Sequence, residues 1–115
     1  MEIKEAYQIL KCNYDEVYSR FGSEGLVKRF ALKFLNDESF AQLKEALETK
    51  DAEKAFRLAH TLKGICLNLG FDSLFEVSSA LTEKLRGKEL DGYEPFFGAL
   101  QDKYNEYVQV IRQVE

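Results

Sequence analysis

The sequence holds a single histidine, His60, in the run Phe56-Arg57-Leu58-Ala59-His60-Thr61-Leu62-Lys63-Gly64-Ile65-Cys66-Leu67-Asn68-Leu69-Gly70. On a helix turning about 100° per residue, Leu58, Leu62, Ile65 and Leu69 fall on one side, flanked by Ala55 and Cys66. That side is the predicted core stripe. His60 points nearly the opposite way, toward solvent or a partner. Arg57 and Lys63 lie three residues to either side of it, and Gly64 sits one turn on, beneath the imidazole. Phe56 and Leu67 share this outward face.

A neutral imidazole offers a nucleophilic nitrogen near neutral pH. A phosphoryl group placed on it brings up to about two negative charges, which a nearby ammonium or guanidinium stabilises. The same two cations make the ring a poor metal ligand. Gly64 costs the helix about 1 kcal/mol relative to Ala. It therefore marks either close helix packing or a need for open space, and space would admit a bulky phosphorylated donor. Phe56 and Leu67 are apolar groups on the solvated side and candidates for a docking patch. An N-terminal helix could instead cover either one. Without a partner, Arg57 and Lys63 would be ordinary solvated residues. Cys66 reads as a small buried hydrophobe.

The elements that must position this stretch are helical. Ile3, Tyr7 and Leu10 form a stripe over residues 2–11, and a short segment runs from Asp15 to Phe21 and stops at Gly22. Ser23 is the predicted N-cap of a helix over 23–36 carrying Leu26, Val27, Phe30, Phe34 and Leu35. A segment at 38–49 carries Phe40, Leu43 and Leu47. Asp51 caps the His60 helix, which Gly70 ends. Asp72 is the predicted cap of a helix over 72–86, closed by Gly87. Pro95 suits the first turn of a last helix over 94–113. The expectation is one all-α domain over 1–115, with the four longer helices (23–36, 51–69, 72–86 and 94–113) forming the bundle and shorter pieces around it.

Composition narrows the function. The 115 residues are 45% hydrophobic and 31% charged, enough for a core and too apolar for disorder. A net charge of -4 argues against non-specific nucleic-acid binding. One Pro and seven Gly argue against an all-β fold. No run of about 18 apolar residues and no N-terminal signal pattern occur, so no membrane partner and a cytoplasmic setting are expected. There Cys12 and Cys66 would be reduced thiols. One histidine cannot make a two-histidine metal site, and Arg57 stands where a di-iron helix would want Glu. No phosphate-binding Gly-Lys-Ser/Thr loop or kinase catalytic loop is present. No metal and no cofactor are expected.

The run His60-Thr61-Leu62-Lys63-Gly64 followed by Asn68-Leu69-Gly70 resembles the motif of histidine-containing phosphotransfer (HPt) domains, and the likeness in element order extends over about residues 14–113. The resemblance implies an antiparallel four-helix bundle of the HPt type with additional short N-terminal helices, and the histidine exposed on the second bundle helix. It implies that His60 is the phosphoacceptor, that Lys63 stabilises the phosphoryl group and that Gly64 keeps access open. Arg57, Phe56, Leu67 and Thr82 are candidates for electrostatic or docking roles. Thr82 stands where many members carry Gln, and its shorter hydroxyl puts a bond to the site in doubt. The implied function is a phosphocarrier in a multistep two-component relay. It would be a monomer without kinase activity, exchanging phosphate with receiver domains of response regulators or hybrid kinases. The alternatives are a helical interaction module that is never phosphorylated, and a carrier fed directly by an ATP-bound kinase domain. Met1 and the tidy ends suggest a small stand-alone protein rather than an excised module.

Overall fold

Local capping chemistry sets the helix carrying His60. Asp51 Oδ1 accepts a hydrogen bond from the Lys54 N–H at 3.1 Å, and the helix runs Ala52–Leu69 before Gly70 turns the chain at φ +68°. The computed structural model describes residues 1–115 and contains no strand. Seven helices follow in order: α1 (Ile3–Ile9), α2 (Tyr14–Phe21), α3 (Glu24–Phe34), α4 (Ser39–Glu48), α5 (Ala52–Leu69), α6 (Asp72–Leu85) and α7 (Glu94–Ile111). Asn13 and Ser23 cap α2 and α3 through their side chains, and Pro95 sits in the first turn of α7. The cap expected from Asp72 is absent: Phe71 holds the N-cap position and Asp72 begins the helix. Gly87 is not the stop of α6 either; the left-handed residue is Lys88.

The four-helix bundle consists of α4 to α7. Helix α5 packs along α4 on one side and α6 on the other, and α6 packs along α7. Phe40 of α4 closes the ring, stacking on Tyr104 and Phe97 of α7 with centroids 4.0 and 5.7 Å away. Each such pair adds roughly 0.5–1.5 kcal/mol beyond the area it buries. Helix length misleads here. The bundle place expected of the segment at 23–36 belongs to the shorter α4, while α3 packs chiefly on α2 and α1 and touches only one edge of α5.

The N-terminal helices lock the far end of α5. Arg20 of α2 donates to the Leu67 and Asn68 carbonyls at 3.1 and 2.5 Å, and Tyr7 of α1 donates its hydroxyl to Leu69 O. These carbonyls belong to the last turn, where backbone partners run out, and a cation is favourable at that end of the helix dipole. Gly70 lets α2 approach, because a Cβ there would collide with the Val17 side chain.

The buried side of α5 is rotated from the stripe the apolar spacing predicts. Ala55, Ala59, Leu62, Cys66 and Leu69 are buried, whereas Leu58 and Ile65 are only partly so. Small alanines take the centre because α4 and α6 approach α5 from both sides. The thiol of Cys66 faces Ser78 Oγ at 4.0 Å, and burial pushes it up to about 12. In α7, Leu100, Tyr107 and Ile111 are buried, while Phe96 remains exposed.

Candidate functional site

The outward face of α5 is set by its inward face. With Ala59 and Leu62 buried, His60 is exposed to solvent, and Thr61 beside it donates its hydroxyl to Arg57 O at 3.0 Å. Arg57 is exposed and Lys63 half-buried, and none of the chain's four ion pairs engages either cation. A Cβ built on Gly64 would meet nothing within 4 Å. Close helix packing therefore does not explain this glycine; open space lies above it. Leu67 is 57% exposed. Arg20 of α2 takes its carbonyl and leaves its side chain free.

Phe56 is placed differently from Leu67. It is half-buried, with its ring 6.2 Å from the imidazole and tilted 48° to it. Its cover comes from α6 rather than from an N-terminal helix: the Arg86 guanidinium lies over the ring, 5.4 Å from its centroid. Phe56, Arg57, His60 and Thr61 line one shallow cleft together with Glu53, Arg86 and Lys88. Three cations and one carboxylate thus border the cleft that holds His60.

Thr82 is not part of this surface. It is fully buried on the inward stripe of α6 with Leu74, Ser78, Leu81 and Leu85, and its hydroxyl bonds back to Ser78 O at 2.7 Å. Its hydroxyl is already satisfied and its side chain has no exposure for docking. The neighbouring Glu83 is exposed and reaches the site through Arg86, which lines the cleft. Its carboxylate takes Arg86 Nε and Nη2 at 2.9 and 2.7 Å. Those bonds hold the Glu83 carboxyl below its usual range, and the charges of Arg86 and Lys63 act in the same direction. Sequence reasoning missed Glu83 and Arg86. The available signal was the polar stripe Ser79, Glu83 and Arg86 at four- and three-residue steps.

Chemically, the face offers an accessible imidazole, an unengaged ammonium three residues on, and room above the next turn for an incoming group. No three His, Cys, Asp or Glu side chains converge as a metal set. Comparison with protein families decides among helical bundles with an exposed histidine. The Hpt domain matches residues 35–110, which spans α4 to α7.

The chain belongs to the Hpt domain family.

Domains of this family take part in histidine phosphotransfer in phosphorelays, as carriers rather than kinases, and they interact with receiver domains. The likeness set out from the motif runs from about residue 14, whereas the matched range of the Hpt domain leaves α1 to α3 outside it. No curated protein and no solved structure gives a match. No helix of this Hpt domain is long and apolar enough to cross a membrane.

Proposed function

We propose that this Hpt domain carries a phosphoryl group on His60, taking it from a phosphoaspartate of one receiver domain and passing it to another. One observation supports this above the rest: the exposed imidazole on α5 has, one turn on, both a Lys63 outside every ion pair and the open space over Gly64. In the forward step an imidazole nitrogen lone pair attacks phosphorus. The bond from phosphorus to the aspartyl oxygen breaks, and its electron pair leaves with the carboxylate. The ring keeps the proton on its other nitrogen until solvent takes it. The return step reverses these events. Lys63 neutralises part of the incoming charge, and Gly64 keeps the approach clear. Arg57 and the exposed Leu67 supply charge and apolar area for docking, and Phe56 contributes through the Arg86 it carries. The acceptor aspartate and its metal ion belong to the receiver.

Residues 1–115 act in this reading as one domain, because α1 and α2 secure the end of the site helix, and as a monomer, because one exposed histidine face is enough for docking. Two unpaired thiols suit a reducing, cytoplasmic compartment. The test mixes the purified protein with receiver domains carrying labelled phosphate, with His60→Gln in parallel. Label that is acid-labile, alkali-stable and absent from the variant is the expected result. Receivers that label another Hpt domain but never this one would leave a bundle that works by binding alone.

A further inference from the structure

Glu83 is a carboxylate bound to one of the cations that line the His60 cleft. It is joined to Arg86 by two hydrogen bonds, at 2.9 and 2.7 Å. Arg86 in turn lines the cleft that holds His60, and its guanidinium rests on the Phe56 ring that neighbours the imidazole. A guanidinium fork suits the oxygens of a phosphoryl group as well as it suits a carboxylate. In the unphosphorylated domain Glu83 occupies that fork.

Resting on the phosphocarrier reading, we propose that Glu83 limits how long His60 keeps its phosphoryl group, by competing with it for Arg86. When the phosphoryl group arrives, Arg86 can serve only one of the two anions well. If Arg86 stays with Glu83, the phosphoryl group loses a cation. If Arg86 crosses over, Glu83 stands unpaired beside a like charge. Either way the phosphorylated state is raised in free energy, and the strain ends when the group leaves. Such a domain hands phosphate on rather than storing it. Glu83 is thus a positioning residue that acts through Arg86, and Phe56 is the shelf on which Arg86 waits.

Decay of the phosphohistidine tests this without any receiver. Phosphoramidate donates its phosphoryl group to His60 as its own N–P bond breaks and ammonia departs. In the decay that follows, water oxygen bonds to phosphorus, the N–P pair returns to the imidazole nitrogen with one water hydrogen, and hydrogen phosphate leaves. Phosphorus NMR follows the decay in the wild type, Glu83→Gln, Arg86→Met and the double variant, at low and high salt, with melting curves as a check on folding. The expected result is a lifetime about two- to fivefold longer in Glu83→Gln, in the range of an exposed charge pair. Most of that gain disappears in the double variant and at high salt. An unchanged or shorter lifetime in Glu83→Gln overturns the proposal, and so does a gain that survives intact without Arg86. Failure of His60 to take phosphate even from phosphoramidate overturns it together with the phosphocarrier reading. Normal decay differences with no transfer from any receiver remove only the latter.

Discussion

Gly64 and Gly70 belong to the same helix and its cap, yet they exist for opposite reasons. At Gly70 the backbone is left-handed and the Val17 side chain occupies the space of a Cβ, so the fold itself demands glycine. At Gly64 the backbone is ordinary helix and a Cβ would meet nothing. Nothing within the chain asks for glycine there, and the proposed function puts the reason in the partner that approaches His60. The two positions separate the sides of α5. The inner side, with its C-terminal cap, is closed by packing and by bonds from Tyr7 and Arg20; the outer side keeps its cations and its space unused.

His60→Gln and Leu62→Ala give the sharpest contrast across the helix. The first should abolish acid-labile labelling completely while shifting stability by less than about 0.5 kcal/mol, as expected for a surface site. The second removes a buried side chain from the opposite face and should lower unfolding free energy by about 2–5 kcal/mol. Denaturant titrations and label transfer on the same two proteins decide the matter. A stability loss in His60→Gln as large as that of Leu62→Ala would dissolve the distinction between the two faces.

Gly70→Ala comes next, with an expected loss of about 2–4 kcal/mol from the left-handed backbone and the collision with Val17. Transfer per folded molecule should survive, because no site side chain changes. A milder probe of the inner side is alkaline pH. Burial raises Cys66 from 9.0 to about 12, and it also raises Tyr7 and Tyr107 above the ordinary phenol value. These groups are neutral when protonated, so the folded state holds their protons more tightly than the unfolded chain does. Their contribution is complete below about pH 9 and is lost as pH rises toward 12. Unfolding curves from neutral to alkaline buffers should show stability falling through that window. A flat profile would mean that the inner side opens without exposing these groups.

Much of the site helix was legible in the sequence because its signals are local. Asp51 caps through its own side chain, Gly70 stops by its own φ, and the offsets of Arg57, Lys63 and Gly64 from His60 are fixed by the helix repeat. What needed the structure is what passes between helices. Ala55 and Ala59 carry little hydropathy, so only the approach of α4 and α6 shows that they hold the centre of the interface. Thr82 matches its motif position by count, yet it lies on the inward stripe of α6 and bonds to Ser78 O. The Glu83–Arg86 pair is visible as an i,i+3 spacing. That Arg86 lines the cleft of His60, and that it shields Phe56, depends on how α6 lies against α5. The bundle helices were mostly placed by pattern, but membership of α4 rather than α3 followed from packing that length does not reveal.

Gly64→Ala tests the central contrast most finely, because its two effects carry opposite signs. In the free protein the added methyl enters open space on a helix. It removes the conformational freedom of glycine in the unfolded chain, so unfolding free energy should rise by up to about 1 kcal/mol. In the proposed encounter with a receiver the same methyl would occupy volume that the incoming phosphoaspartate requires. A misfit of about 1–3 kcal/mol there slows transfer roughly five- to a hundredfold. Melting curves and rapid-quench transfer on one variant read both numbers. A more stable protein that transfers more slowly places the demand for Gly64 in the partner. If Gly64→Ala instead destabilises the fold, Gly64 is a packing residue after all and the two glycines are alike. If it stabilises and transfers at the wild-type rate, the space above it is simply empty, and access to His60 must be governed from the α6 side, where Glu83 and Arg86 stand.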